Sequence, residues 1–148
     1  MEITTTLNRS AIFGKAMMLS NYDAKFTADK DGNLLFDVSR LTPSEYNLLD
    51  EVLRKTKATI INALGGVDID IVQDGEDITC TIFSHSEHRR SISISQLDSM
   101  LMSIFAESIL ADWSQRANPA LMELYTNRTN ASIQELIKAV KTKTEPDL

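Results

Sequence analysis

Hydrophobic residues recur at helical spacing in several stretches of this chain and alternate with polar ones in between. Ile12, Ala16, Leu19 and Tyr22 predict a helix over residues 8–22, with Asn8 or Ser10 as its N-cap. Gly14 weakens that helix by about 1 kcal/mol relative to alanine. The face Tyr46, Leu49, Val52, Leu53, Thr56, Ile60, Ala63 and Leu64 predicts a second helix over 42–64. Its start is written in Thr42-Pro43-Ser44-Glu45. Thr42 can cap, Pro43 takes the first helical position where a missing N–H costs nothing, and Glu45 completes a capping box. Gly65-Gly66 ends it.

Val67, Ile69 and Ile71 then alternate with Asp68 and Asp70, and Ile78, Cys80 and Ile82 with Thr79 and Thr81. Both halves read as strands with one buried face, and Gln73-Asp74-Gly75-Glu76 between them reads as a tight turn, giving a β-hairpin over 67–83. Met1 to Leu7, with Thr4-Thr5-Thr6, reads as extended. Asp29-Lys30-Asp31-Gly32-Asn33 is a turn. Leu34 to Val38 is a short strand or an apolar loop, and Ser91 to Ser95 is a third short strand or the lead into the next helix.

From Gln96 to Ala117 the apolar positions are Leu97, Met100, Leu101, Met102, Ile104, Phe105, Ala106, Ile109, Leu110, Ala111 and Trp113. They wrap more than half of the helix circumference, more than one core-facing stripe requires. Such a helix is either central in its own fold or has one flank against another subunit, and the pattern leaves both open. On the second reading Met102, Phe105, Ile109 and Trp113 form the subunit or partner interface. Asn118-Pro119 breaks the helix, and Leu121, Leu124, Tyr125, Ile133, Leu136, Ile137 and Val140 predict a last one over 119–140. The fold class is α+β, mostly helical, about four helices with an inserted β-hairpin. Residues 1–140 form a single domain and 141–148 a polar C-terminal tail.

Composition narrows the function classes. The 148 residues are 43% apolar and 24% charged, with a single cysteine, Cys80. This is one globular domain, with no disulfide scaffold and no cysteine-based zinc cluster. No apolar run reaches the length of a membrane span, and Met1-Glu2-Ile3-Thr4 lacks the basic and apolar regions of a signal peptide. A net charge of −6 argues against general affinity for nucleic acid or anionic membrane.

The candidate chemistry is thin. His85 and His88, with Glu87 between them, would meet zinc only on one helical turn; Arg89 and Arg90 repel a cation there, and no third or fourth ligand follows. The segment reads as a solvated loop. Asp29 to Asn33 opens like a calcium loop, but glycine comes fourth rather than sixth and the twelfth position is Arg40. Cys80 sits on the inward side of its strand and reads as core. Asp68 and Asp70 share the outer face of theirs and keep an edge soluble. Asn127-Arg128-Thr129 and Asn130-Ala131-Ser132 match a glycosylation pattern inside a predicted helix and read as chance. With no phosphate loop, nucleotide fingerprint or Ser/His/Asp order, the sequence predicts neither an enzyme nor a cofactor.

The order of elements carries a resemblance. Thr6-Leu7-Asn8-Arg9-Ser10-Ala11-Ile12-Phe13 is followed by a turn and Leu35-Phe36-Asp37. The capped Thr42-Pro43-Ser44-Glu45 helix with Leu48-Leu49-Asp50 and the hairpin come next. Then come the apolar helix ending Ala111-Asp112-Trp113, the Asn118-Pro119 break and Leu124-Tyr125. Over nearly its whole length the chain resembles small head and neck structural proteins of Bacteroides-type phages and prophages, and more loosely the helical head–tail connector (adaptor) proteins of tailed bacteriophages. The resemblance implies a structural virion protein of the neck, assembled in the bacterial host cytoplasm. Its copies form a homo-oligomeric ring under the portal, joining capsid to tail. The implied partners are the chain itself, the portal protein, the next neck or tail protein and genomic DNA that passes without specific binding, with no membrane. Lys138, Lys141 and Lys143 fall in the implied portal-docking tail, although Glu145-Pro146-Asp147 departs from the basic, tyrosine-containing ending of such proteins. A small acidic dimeric chaperone for a secreted or injected protein is the alternative that size, charge and apolar helix equally suit.

Overall fold

Glu2–Asn8 forms strand β1 and runs directly into helix α1, Arg9–Ala24, whose first turn is capped by the Asn8 side chain accepting the Ala11 N–H at 3.2 Å. The computed structural model describes residues 2–24, 41–83, 92–117 and 119–141. After α1 come a 3-10 turn, Pro43–Leu48, and helix α2, Leu49–Ala63. Strands β2, Asp68–Asp74, and β3, Asp77–Phe83, follow, then helix α3, Ile94–Ala117. A short 3-10 turn, Pro119–Leu121, leads into helix α4, Met122–Lys141. The mixed, mostly helical α+β class is as the hydrophobic pattern requires.

The strands form one antiparallel sheet in the order β1-β3-β2. The extended start of the chain is therefore a third strand beside the hairpin, seven residues in unbroken register from Glu2↔Phe83 to Asn8↔Asp77. The hairpin closes on Asp74↔Asp77, so its loop is Gly75-Glu76, one residue later than the Asp-Gly pair suggests. Gly75 has φ 60° while Glu76 keeps a negative φ, which fits a type II′ turn with glycine first. Residues 92–95 form no strand; Ile94 and Ser95 already belong to α3.

The two helix starts behave oppositely. Thr42 has the extended backbone of an N-cap, φ −114° and ψ 159°, but its side chain makes no capping bond and the chain first winds as a 3-10 turn. At α3, Ser93 Oγ accepts the Gln96 N–H and Gln96 Oε1 accepts the Ser93 N–H, both at 3.1 Å, a reciprocal capping box. The α2 end is as expected: the Leu64 N–H donates to Ile60 C=O, and Gly66 turns the chain at φ 88°.

Helix α3 is the axis of the molecule. It packs against α1, α2, α4 and β1, and Leu97, Leu101, Ile104, Phe105, Ala106, Ile109, Leu110 and Trp113 are all buried. An all-round apolar helix is thus covered by its own chain, the internal one of the two readings open to the sequence. Ile3, Leu7, Ile71, Ile78, Cys80 and Ile82 supply the inner face of the sheet to the same core. Thr5, the one polar residue of β1 on that face, donates to Asp98 Oδ2 at 2.8 Å and fastens β1 to α3.

Candidate functional site

The helices lie on one face of the sheet, and the side chains of the opposite face are exposed or half-buried. The two-residue period of the strands decides what stands there. β1 presents Glu2, Thr4, Thr6 and Asn8; β3 presents Asp77, Thr79, Thr81 and Phe83; β2 presents Asp68, Asp70, Val72 and Asp74. The centre is a block of threonines: Thr4 and Thr81 hydroxyls lie 3.3 Å apart, Thr6 and Thr79 3.2 Å. Carboxylates flank it. Glu2, Asp68, Asp70, Asp74 and Asp77 all belong to this surface, and no lysine or arginine occurs in any of the three strands. Much of the net charge of −6 is therefore gathered on one flat face. Such strands contribute a negative potential and offer a phosphate backbone no cationic side chain of their own.

Three of the four residues expected at a subunit interface, Phe105, Ile109 and Trp113, are buried within the fold. Phe105, Ile109 and Trp113 are 1%, 5% and 3% exposed, and Met102 is half-buried and packed on the core. As placed, they hold α3 to its own neighbours and offer a partner no apolar patch. Spacing shows that a helix is apolar all round, but not what covers it. Lys138 and Lys141 are exposed in the last turn of α4, where cations complement the helix dipole. Val140 between them is fully buried, so α4 stays docked to its end. Lys143, His85, His88 and the Asp29–Asn33 turn lie outside the described residues.

Two titratable groups in the interior are displaced from their ordinary ranges. Burial, helped by the negative charge of Asp70, pushes the Cys80 thiol up to about 12. A thiol held that high is not a nucleophile at neutral pH. Glu107, half-buried between α3 and α4, is also raised, chiefly by desolvation. Its 2.7 Å hydrogen bond from Ser132 Oγ and the charges of Arg128 and Lys15 work the other way.

A cleft of about 330 Å³ runs over α3 between α2 and α4. Thr59, Thr129 and Thr56 line it but turn their hydroxyls back onto Lys55, Tyr125 and Val52 carbonyls of their own helices. Its two charged groups, Lys55 and Asp112, pair within their helices with Glu51 and Arg116. The lining holds no cysteine or histidine, so the cleft contains no nucleophile–base pair of the usual kind.

Among the described residues no group of His, Cys, Asp and Glu is placed to hold a metal ion, and no helix is long and apolar enough to cross a membrane. The acidic outer sheet face is half legible in the sequence: Asp68 and Asp70 mark one strand, while Glu2 and the threonines join them only through the pairing of β1 with β3. Comparison with protein-family models, curated proteins and solved structures finds no significant match for this chain.

Proposed function

We propose that the chain is a non-enzymatic structural subunit of a phage neck, a head–tail connector whose copies form a ring under the portal. The observation that carries this reading is the outer sheet face, whose three strands present Glu2, Asp68, Asp70, Asp74 and Asp77 and contain no lysine or arginine. A channel that must pass DNA without gripping it is best walled by such a surface, because tight binding to duplex DNA depends on lysine and arginine contacts to phosphates. The element order that resembles small phage head and neck proteins supports the same assignment. The role is positional: a rigid block with α3 locked inside, its acidic face toward the genome, and Lys138 and Lys141 at the α4 terminus toward the portal protein. The next neck or tail protein docks on the opposite rim of the ring.

The reading places the protein at the virion neck. The chaperone alternative drew on an apolar helix flank open to a client, and with Phe105, Ile109 and Trp113 enclosed that support is withdrawn. The connector reading loses the same flank as its subunit contact but keeps the acidic face. Electron microscopy of particles from the producing phage tests it: density for a ring of this chain between portal and tail is expected. Particles that lack the chain altogether would overturn it.

A further inference from the structure

Among the described residues the sheet ends in two edges with no further strand, and they differ in chemistry. β2 is bordered by Asp68, Asp70 and Asp74, a charged column of the kind that discourages edge-to-edge pairing with a like strand. β1 has no such defence. It runs seven residues without a bulge and contains no proline and no lysine; its only charged residue is Glu2, at its start. The bond from the Arg9 N–H to Glu76 C=O sets the phase of the ladder. It turns the backbone groups of Ile3, Thr5 and Leu7 toward β3, and those of Glu2, Thr4, Thr6 and Asn8 outward. By the same alternation β2 turns Ile69, Ile71 and Gln73 outward. Among the described residues no further strand lies beyond either edge.

We propose that β1 of one copy pairs with β2 of the next, so that neighbouring subunits share a continuous sheet around the ring. The proposal rests on the ring reading and names its subunit joint. Three edge-to-edge contacts between identical copies exist in principle. Pairing β2 with β2 sets Asp68, Asp70 and Asp74 against the same column, and like charges directly opposite are destabilising. Pairing β1 with β1 is two-fold symmetric and closes as a dimer, with no route to a larger ring. Pairing β1 with β2 is heterologous, so it propagates and can close a ring. With Thr6 level with Val72, the neutral side chains of Thr4 and Asn8 stand beside Asp70 and Asp74, and Glu2 beside Asp68 is the single like-charge pair. On the inner side Ile3 stands beside Ile69, and Leu7 lies diagonal to Ile71. The two strands are equal in length, seven residues each. The joined sheet keeps every carboxylate on one surface.

The test mixes two full-length single variants, Thr6→Cys and Val72→Cys, at high concentration and treats them with a short bismaleimide; the native Cys80 is buried and unreactive. Each chain carries one new thiol, so a link between positions 6 and 72 arises only between copies. That link, identified by peptide mass, is the expected product. Links of 6 to 6 or 72 to 72 alone, or a chain that stays monomeric at every concentration, overturn the joint. Thr6→Pro and Gln73→Pro remove outward N–H groups, but also the Thr6–Thr79 hydroxyl contact and the Gln73–Asp50 bond. Against Thr6→Val and Gln73→Ala, which lose those side-chain bonds alone, each proline is expected to reduce the assembled fraction about tenfold, with the circular dichroism of the monomer matching its control. A ring seen in particles whose assembly ignores both prolines sinks the strand joint and leaves the connector reading standing. Absence of the chain from particles sinks the connector reading instead.

Discussion

The Tyr46 hydroxyl donates a 3.0 Å hydrogen bond to Glu76 Oε2, tying the turn that precedes α2 to the loop of the β2–β3 hairpin. Around that bond three elements converge. The Tyr46 ring meets Phe13 of α1 edge-on at 5.3 Å and lies under the Arg9 guanidinium at 5.2 Å. Arg9 in turn pairs with Asp50 at 3.0 Å, and Gln73 Nε2 donates to the same carboxylate at 3.0 Å. The cluster fixes where the hairpin ends relative to both helices, and so fixes the tilt of the acidic face.

Tyr46→Phe keeps the ring contacts and removes only the hydroxyl. A loss of about 1 kcal/mol is expected, the usual net worth of one hydrogen bond. In a chain of this size that lowers Tm by roughly 3 °C in a thermal melt. An unchanged melt would mean that the Glu76 bond is not made in solution.

Trp113 separates the two fates of an apolar helix. Because it is 3% exposed and packed inside the molecule, Trp113→Lys is expected to unfold or severely destabilise the monomer, by at least about 3 kcal/mol. Urea denaturation measures it. If the lysine variant stayed as stable as the parent and lost only self-association, Trp113 would be an interface residue after all.

Much of this architecture was legible because local signals and burial agree. The α2 face and the hairpin alternation each follow a single clean period. Where the reading fell short, the deciding contacts are distant in sequence. β1 is a strand because β3 offers it seven partners, which Thr4-Thr5-Thr6 alone does not announce. The two capping boxes show how local signals mislead. Thr42-Pro43-Ser44-Glu45 is the stronger pattern on paper, yet the Thr42 side chain makes no capping bond. Ser93-Ile94-Ser95-Gln96 is interleaved with a strand-like alternation that hides it, yet its box closes on both sides. Apolarity, the signal that marks Met102, Phe105, Ile109 and Trp113, does not distinguish a covered flank from an open one.

Glu107 gives the pH dependence a definite sign. Its folded pKa is raised above the ordinary glutamate value of 4.5, so the folded state prefers it protonated. The group therefore favours folding below that value, and the benefit is lost as pH rises through the folded pKa. Glu107→Gln retains an oxygen for the Ser132 hydroxyl and has no charge to desolvate. It is expected to be more stable than the parent at pH 7, by less than about 1 kcal/mol because the site is half open to solvent. The two melts should converge below pH 4. A gap that widens toward acid would contradict the assignment.

Cys80 is expected to resist alkylation in the native protein even at pH 9, because its thiol is buried and ionises only at about 12. Labelling by a maleimide should therefore track global unfolding in denaturant. Rapid labelling of the native chain would require β3 to open locally, which the seven-residue pairings on both of its sides oppose.

The acidic sheet face makes the most direct claim on function, and charge reversal isolates it from folding. Asp68, Asp70 and Asp74 point away from the core, so replacing all three by lysine should leave the melt within about 1 kcal/mol of the parent. Three reversals, each worth two charges, take the net charge from −6 to zero and turn the most acidic strand basic. The parent is expected to show no measurable affinity for duplex DNA at moderate salt. The triple-lysine variant should bind it weakly, with affinity falling as salt rises in proportion to the phosphates contacted. If the chain is the proposed connector, that grip acts against the passing genome and DNA release should slow. Release at the parental rate, with the variant shown to be present in the ring, would mean that this face does not look onto the channel.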